Sequence, residues 1–77
     1  MADALLEAFG QAVRARRRDM KLSQAELAAA IGGRQATVSD IENAVRPADF
    51  STLQELAHAL GCRIVFNPDR SITLERA

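Results

Sequence analysis

Tryptophan and tyrosine are absent from these 77 residues, and phenylalanine occurs only three times. So few rings exclude a stacking platform for single-stranded nucleic acid, which holds successive bases on aromatic faces. A single cysteine excludes an internal disulfide and fits a reducing compartment. One cysteine and one histidine also cannot build an ordinary Cys/His zinc site, so neither metal nor cofactor is expected. No apolar run approaches the roughly 20 residues of a membrane span, and the basic start, apolar stretch and cleavage site of a signal peptide are missing. A cytoplasmic chain with no membrane partner is expected. Net charge is lacking as well: ten Lys and Arg balance ten Asp and Glu, which excludes a strongly basic, histone-like polyanion binder.

Hydrophobic residues make up 48% and charged residues 26%, the composition of one small globular domain. A chain this short buries a modest fraction of its surface, so a partner subunit is a ready source of extra stability. The balanced charge hides an asymmetry. Between residues 10 and 34 stand Arg14, Arg16, Arg17, Arg18, Lys21 and Arg34, against Asp19 and Glu26. By itself such a run most often marks a solvated helix face. The order of helices gives it a second meaning, a basic face turned to a polyanion.

Asp3 is placed to cap a helix over about residues 4–20, in which Leu6, Phe9, Val13 and Met20 recur at helical spacing. Arg17 interrupts that apolar stripe. Either it snorkels to solvent along its stem or, if buried, it needs a carboxylate partner. Ser23-Gln24-Ala25-Glu26 is a capping box that opens a short second helix, and Gly32-Gly33 ends it. A third helix is expected from Arg34 or Gln35 to Asn43. Its inward face is Val38, Ile41 and the stem of Glu42; its outward face is Gln35, Ala36, Ser39, Asp40 and Asn43. Pro47 interrupts the chain, Asp49 caps a fourth helix carrying Leu53, Leu56, Ala57 and Leu60, and Gly61 stops it.

The period then changes. Residues 62–66 are short and apolar, 67–70 carry turn chemistry, and 71–75 alternate, which predicts a β-hairpin or one strand with a tail. The chain divides into a helical domain, 1–61, and a β element, 62–77. Ile64, Val65 and Phe66, with Ile72 and Leu74, would leave an open edge that pairing with a second copy across a two-fold closes. The alternative is a hairpin folded onto its own fourth helix.

Two short helices joined by a glycine turn, the second polar on its outer side, suit a major groove about 12 Å wide. Gln35 fits adenine, Ala36 a thymine methyl and Asp40 the amino group of cytosine, while Ser39 and Asn43 can bond to bases or phosphates. Ser23 and Gln24 lie at a helix amino end whose free amides suit a phosphate. Arg14, Arg16, Arg18, Lys21 and Arg34 supply further backbone contacts. No enzyme is expected. His58 has no acid or nucleophile partner, and Cys62 follows a helix end, where it is expected to be buried and inert.

The run Leu22-Ser23-Gln24-x-Glu26-Leu27-Ala28-x-x-Ile31-Gly32, then Gln35-x-Thr37-Val38-Ser39-x-x-Glu42-Asn43, then Leu53-x-x-Leu56-Ala57-x-x-Leu60-Gly61 resembles the lambda-repressor and Cro-like (XRE-type) helix-turn-helix family over about residues 9–61. The resemblance implies a mainly α fold of four to five helices whose third helix enters the major groove. It implies a sequence-specific repressor bound as a homodimer to a palindromic double-stranded operator. Position by position, it implies phosphate contact for Gln24 and base-facing positions for Gln35, Ala36, Ser39 and Asp40. It further implies a structural ion pair between Arg17 and Glu42. Three positions depart from the pattern. Ala44 stands where the family often has glycine, so Asn43 is expected to supply the left-handed residue. Arg34 replaces the usual Ser or Thr cap, and Arg16 replaces a leucine. A Cro-like domain ending in a strand also resembles Hip-type antitoxins. That implies an alternative, an antitoxin whose main role is neutralising a toxin protein, with DNA autoregulation secondary.

Overall fold

The computed structural model describes residues 4–77; Asp3, the expected cap of the first helix, lies outside them. Helices α1 (Ala4–Asp19), α2 (Gln24–Ala30), α3 (Gln35–Glu42) and α4 (Phe50–Ala59) are followed by strands β1 (Cys62–Phe66) and β2 (Ile72–Arg76). Two helices begin where a side chain satisfies their free amides. Ser23 Oγ accepts from the Glu26 amide at 3.0 Å, and the Ser23 amide donates to Glu26 Oε1 at 2.9 Å. Asp49 Oδ1 accepts from the Thr52 amide at 2.8 Å. Arg34 supplies no such bond to α3.

Each helix ends on a residue of positive φ: Lys21 (59°), Gly32 (66°), Ala44 (56°) and Gly61 (63°). After α3 the Val45 amide donates to the Asp40 carbonyl and the Ala44 amide to that of Ile41, the double closure of a Schellman turn. The left-handed residue is therefore Ala44, contrary to the expectation for Asn43, whose φ is −96°. The Asn43 side chain is engaged elsewhere. Its Nδ2 donates to the Ser39 carbonyl and its Oδ1 accepts from Arg14, each at 2.9 Å. Helix α1 stops at Asp19, which leaves Met20 exposed rather than on the apolar stripe.

Phe9, Val13, Leu27, Ala28, Val38, Ile41, Leu56, Leu60 and Cys62 form one core, to which every helix and β1 contribute. The strands pair antiparallel with Ile64 opposite Leu74 and Phe66 opposite Ile72. Strand β1 lies against α4 and β2 against α1. The C-terminal residues thus fold back as a hairpin on their own helices. Ile72 and Leu74, expected along a strand-to-strand dimer edge, pack their side chains against the core, and Ile64 and Val65 are half-buried. The reason is that an isolated two-stranded ribbon is marginal in water and needs its apolar face covered. Phe66 alone of the five remains exposed. The second strand starts at Ile72 rather than Ser71, because Asp69 Oδ1 holds both the Ser71 amide (2.9 Å) and its hydroxyl (2.6 Å) in the turn.

Gly10 is buried in mid-α1. A Cβ there would stand 2.8 Å from the Glu42 carbonyl oxygen and nearer still to that of Ile41. Helices α1 and α3 therefore cross backbone on backbone, and the crossing positions everything described below. Gly10→Ala should lower stability by about 1–3 kcal/mol despite alanine's better helix propensity. Ala44→Gly should raise it by up to about 1 kcal/mol, by relieving left-handed backbone strain. Urea denaturation checks both signs; a neutral Gly10→Ala would mean that the two helices stand further apart.

Candidate nucleic-acid interface

The crossing at Gly10 brings side chains of α1 and α2 onto the carboxylate of Glu42. Arg17 grips it with two bonds, Nε to Oε2 at 2.6 Å and Nη2 to Oε1 at 3.1 Å. Arg14 Nε (3.2 Å) and Gln24 Nε2 (3.1 Å) donate to the same Oε1. The remaining Arg17 nitrogen, Nη1, donates to the Leu22 carbonyl at 2.8 Å. Arg17 and Glu42 are both buried, and no buried side-chain polar atom among the described residues lacks a partner. Burial pushes the Glu42 carboxyl up, but the bonds from Arg17, Gln24 and Arg14 and the Arg17 charge outweigh it and hold the carboxyl below its usual range.

Two arms run from this node to the surface. Gln24 Oε1 meets Gln35 Nε2 in a long contact of 3.5 Å. Arg14 Nη2 donates to Asn43 Oδ1, and Asn43 Nδ2 donates in turn to Ser39 Oγ at 3.3 Å. The arms end at opposite ends of the outer face of α3. Gln35 and Ala36 are exposed at its amino end, Ser39 and Asp40 are half-buried, and Asn43 is exposed just past its carboxyl end. Helical spacing keeps these five on one side.

Asp40 has a partner that the sequence did not suggest: Arg46 Nη2 lies 2.8 Å from its Oδ2. The signal was an opposite charge six residues on, across a turn that doubles the chain back.

The basic residues divide into two groups. Arg18, Lys21 and Arg34 are exposed, and their side chains pair with no described residue. Arg18 lies one helical turn beyond Arg14 on the same side of α1. Arg16 departs from the phosphate-contacting expectation. Two residues turn a helix by about 200°, so Arg16 faces away from Arg14 and Arg18, and its Nε donates to the Leu60 carbonyl at 2.9 Å. Arg14 is half-buried and committed to Glu42 and Asn43. The Ser23 hydroxyl is committed to its capping box.

A helix-turn-helix family model matches residues 13–67, which take in α2, the glycine turn and α3. The chain belongs to the helix-turn-helix family of the XRE type. Its fold is similar to that of the clp gene regulator ClgR from Corynebacterium glutamicum, with 31% identity over 79% of this chain and 78% of that one and a TM-score of 0.73. It is similar also to the restriction-modification controller protein C.AhdI from Aeromonas hydrophila, with 34% identity over 75% of this chain and 88% of that one and a TM-score of 0.73. A comparison with curated proteins gave no match. Among the described residues no helix is long and apolar enough to cross a membrane.

In this helix-turn-helix the Glu42 node fixes the angle of α3 against both α1 and α2. Glu42→Ala should cost about 3–5 kcal/mol, because it strands the Arg17 guanidinium in the core. Since the folded carboxyl titrates below its ordinary value of 4.5, the stability it confers is complete above that pH and is lost as pH falls through the folded value. Melting temperatures taken from pH 7 to pH 3 should therefore fall more steeply for the parent than for Glu42→Gln. Parallel curves would show that the carboxylate is not held by these bonds.

Proposed function

We propose that this helix-turn-helix protein is a sequence-specific double-stranded DNA-binding transcriptional regulator. It acts as a repressor, binding as a homodimer to a palindromic operator with α3 in the major groove. The observation that carries the reading is the outer face of α3, small and hydrogen-bonding along its length, in a domain whose exposed Arg18, Lys21 and Arg34 side chains pair with no described residue. Gln35, Ala36 and Ser39 meet base edges, where an amide pairs with adenine and a methyl meets thymine. Asp40 is ion-paired with Arg46, so it adds no net repulsion of phosphates. Arg18, Lys21 and Arg34 neutralise backbone phosphates, with the Gln24 amide at the start of α2 as a further donor; the Ser23 amide is held by Glu26, and Asn43 would have to release Ser39 to reach a phosphate. Arg16 has no part in this face.

ClgR is a gene regulator and C.AhdI a controller protein, and both descriptions favour gene control for this chain. The protein works in the cytoplasm, on the nucleoid when bound. An antitoxin role would instead require a stoichiometric toxin that co-purifies with the tagged chain. The build of the α3 face favours the DNA reading.

Fluorescence anisotropy tests it, using a duplex from directly upstream of the protein's own gene and a scrambled duplex at several salt concentrations. Gln35→Ala should lose about 1–3 kcal/mol and relax preference at one base position. Arg18→Ala should weaken every duplex alike and reduce the salt slope by about 1, whereas Arg16→Ala should leave the slope unchanged. Equal binding of both duplexes by the parent protein would overturn the proposal.

A further inference from the structure

Two exposed phenylalanines share one side of the molecule. Phe50, the first residue of α4, is 74% exposed and Phe66, the last of β1, is 62% exposed; Val45, in the loop that leads to α4, is exposed as well. Phe50 and Phe66 each line two apolar clefts, of about 240 and 450 Å³. One cleft continues over Leu6, Ala48 and Ile72, the other over Ala57 and Ile64, and Leu53 borders both. The two rings therefore form a ridge with a depression on either side.

We infer that this ridge is the surface on which a second copy of the chain docks. The inference rests on the homodimer reading above and names its interface. Three observations select a second copy as the occupant. A ridge between two depressions is complementary to itself after a two-fold rotation, the ridge of each copy filling a depression of the other, as an isologous contact requires. A face nearly free of charge also spares the desolvation cost of burying ions when it closes on its copy. The one Asp, Glu, Lys or Arg lining either cleft is Arg46, already neutralised by Asp40. Finally, the size is compatible: the chain measures 32 × 30 × 21 Å, so the centres of two copies in contact stand between one short and one long molecular width apart, at or below the 34–36 Å between half-sites one DNA turn apart. A stable interface covers about 800 Å² on each partner, roughly one-sixth of the 5086 Å² surface of this chain.

The face borders the carboxyl end of α3 through Ile41, Arg46 and Ala48, whereas Gln35, Ala36 and Ser39 line neither cleft.

Sedimentation equilibrium of the full chain tests the inference, with Phe50→Ser, Phe66→Ser and the double variant beside the parent. Both rings are exposed, so circular dichroism should report an unchanged fold and a melting temperature close to the parent's. The parent should be a dimer, and the double variant should dimerise about 100-fold more weakly. The double variant should also bind a single half-site duplex as the parent does, while losing the advantage of the two-half-site duplex. Arg63→Glu, on the hairpin's outer face, should leave the dimer intact. A parent that stays monomeric on and off DNA would overturn the homodimer reading itself. A folded double variant that still dimerises like the parent, or dimer loss in Arg63→Glu alone, would leave that reading standing and overturn this interface. Capture of a different protein with the dimer unaffected by both serines would assign the ridge to that partner instead.

Discussion

A single buried carboxylate organises the molecule. Glu42 ends α3 inside the core, and such a group is tolerated only when it is paired and its lone pairs are met. Arg17 from α1 supplies the charge and two bonds, and Arg14 and Gln24 supply the rest. These three donors come from two other helices, so satisfying one carboxylate fixes three helices relative to one another. The same bonds run on to Gln35, Asn43 and Ser39 at the surface. A burial requirement in the core thereby becomes an orientation of the face that we propose reads DNA. Replacing a buried ion pair with well-packed apolar residues is often neutral for stability. The value of this pair lies in the geometry it imposes.

Much of this frame was legible in the sequence. The capping box of Ser23 and Glu26, the glycine stops at Gly32 and Gly61 and the apolar periods are local signals, and local signals survive without a structure. Arg17 in an apolar stripe left two readings, a stem that snorkels to solvent or a buried carboxylate partner; the family resemblance implied Glu42, and the two are paired. What escaped notice depends on contacts distant along the chain. Arg16 is bound to a carbonyl 44 residues away, at a junction that exists only once α4 and β1 have packed. Nothing in a run of arginines separates the one that faces a hairpin from those that face solvent. Gly10 was a missed clue: a glycine inside a helix costs about 1 kcal/mol relative to alanine and calls for a reason. The reason is the backbone of α3 against it. Ala44 misled because a helix end can place alanine in the left-handed region when the turn's two hydrogen bonds and the commitments of Asn43 leave no other choice.

The C-terminal hairpin completes the account from the other side. A ribbon of two strands cannot cover its own apolar face, and this one folds onto α1 and α4, turning Ile72 and Leu74 inward. That arrangement commits their side chains to the chain's own core. It leaves Phe50 and Phe66 outside on the face beyond the carboxyl end of α3. The buried node, the outer face of α3 and the two exposed phenylalanines are thus separate parts of a chain of 77 residues.

The claim that the buried pair serves orientation more than stability is tested most directly by the double variant Arg17→Met/Glu42→Met. Its unfolding free energy and its affinity for the operator duplex would be measured under the same conditions. The account predicts stability within about 1 kcal/mol of the parent together with operator affinity at least about tenfold weaker, because Gln24, Gln35 and Asn43 lose the group that positions them. A variant equally stable and equally tight on the operator would contradict it.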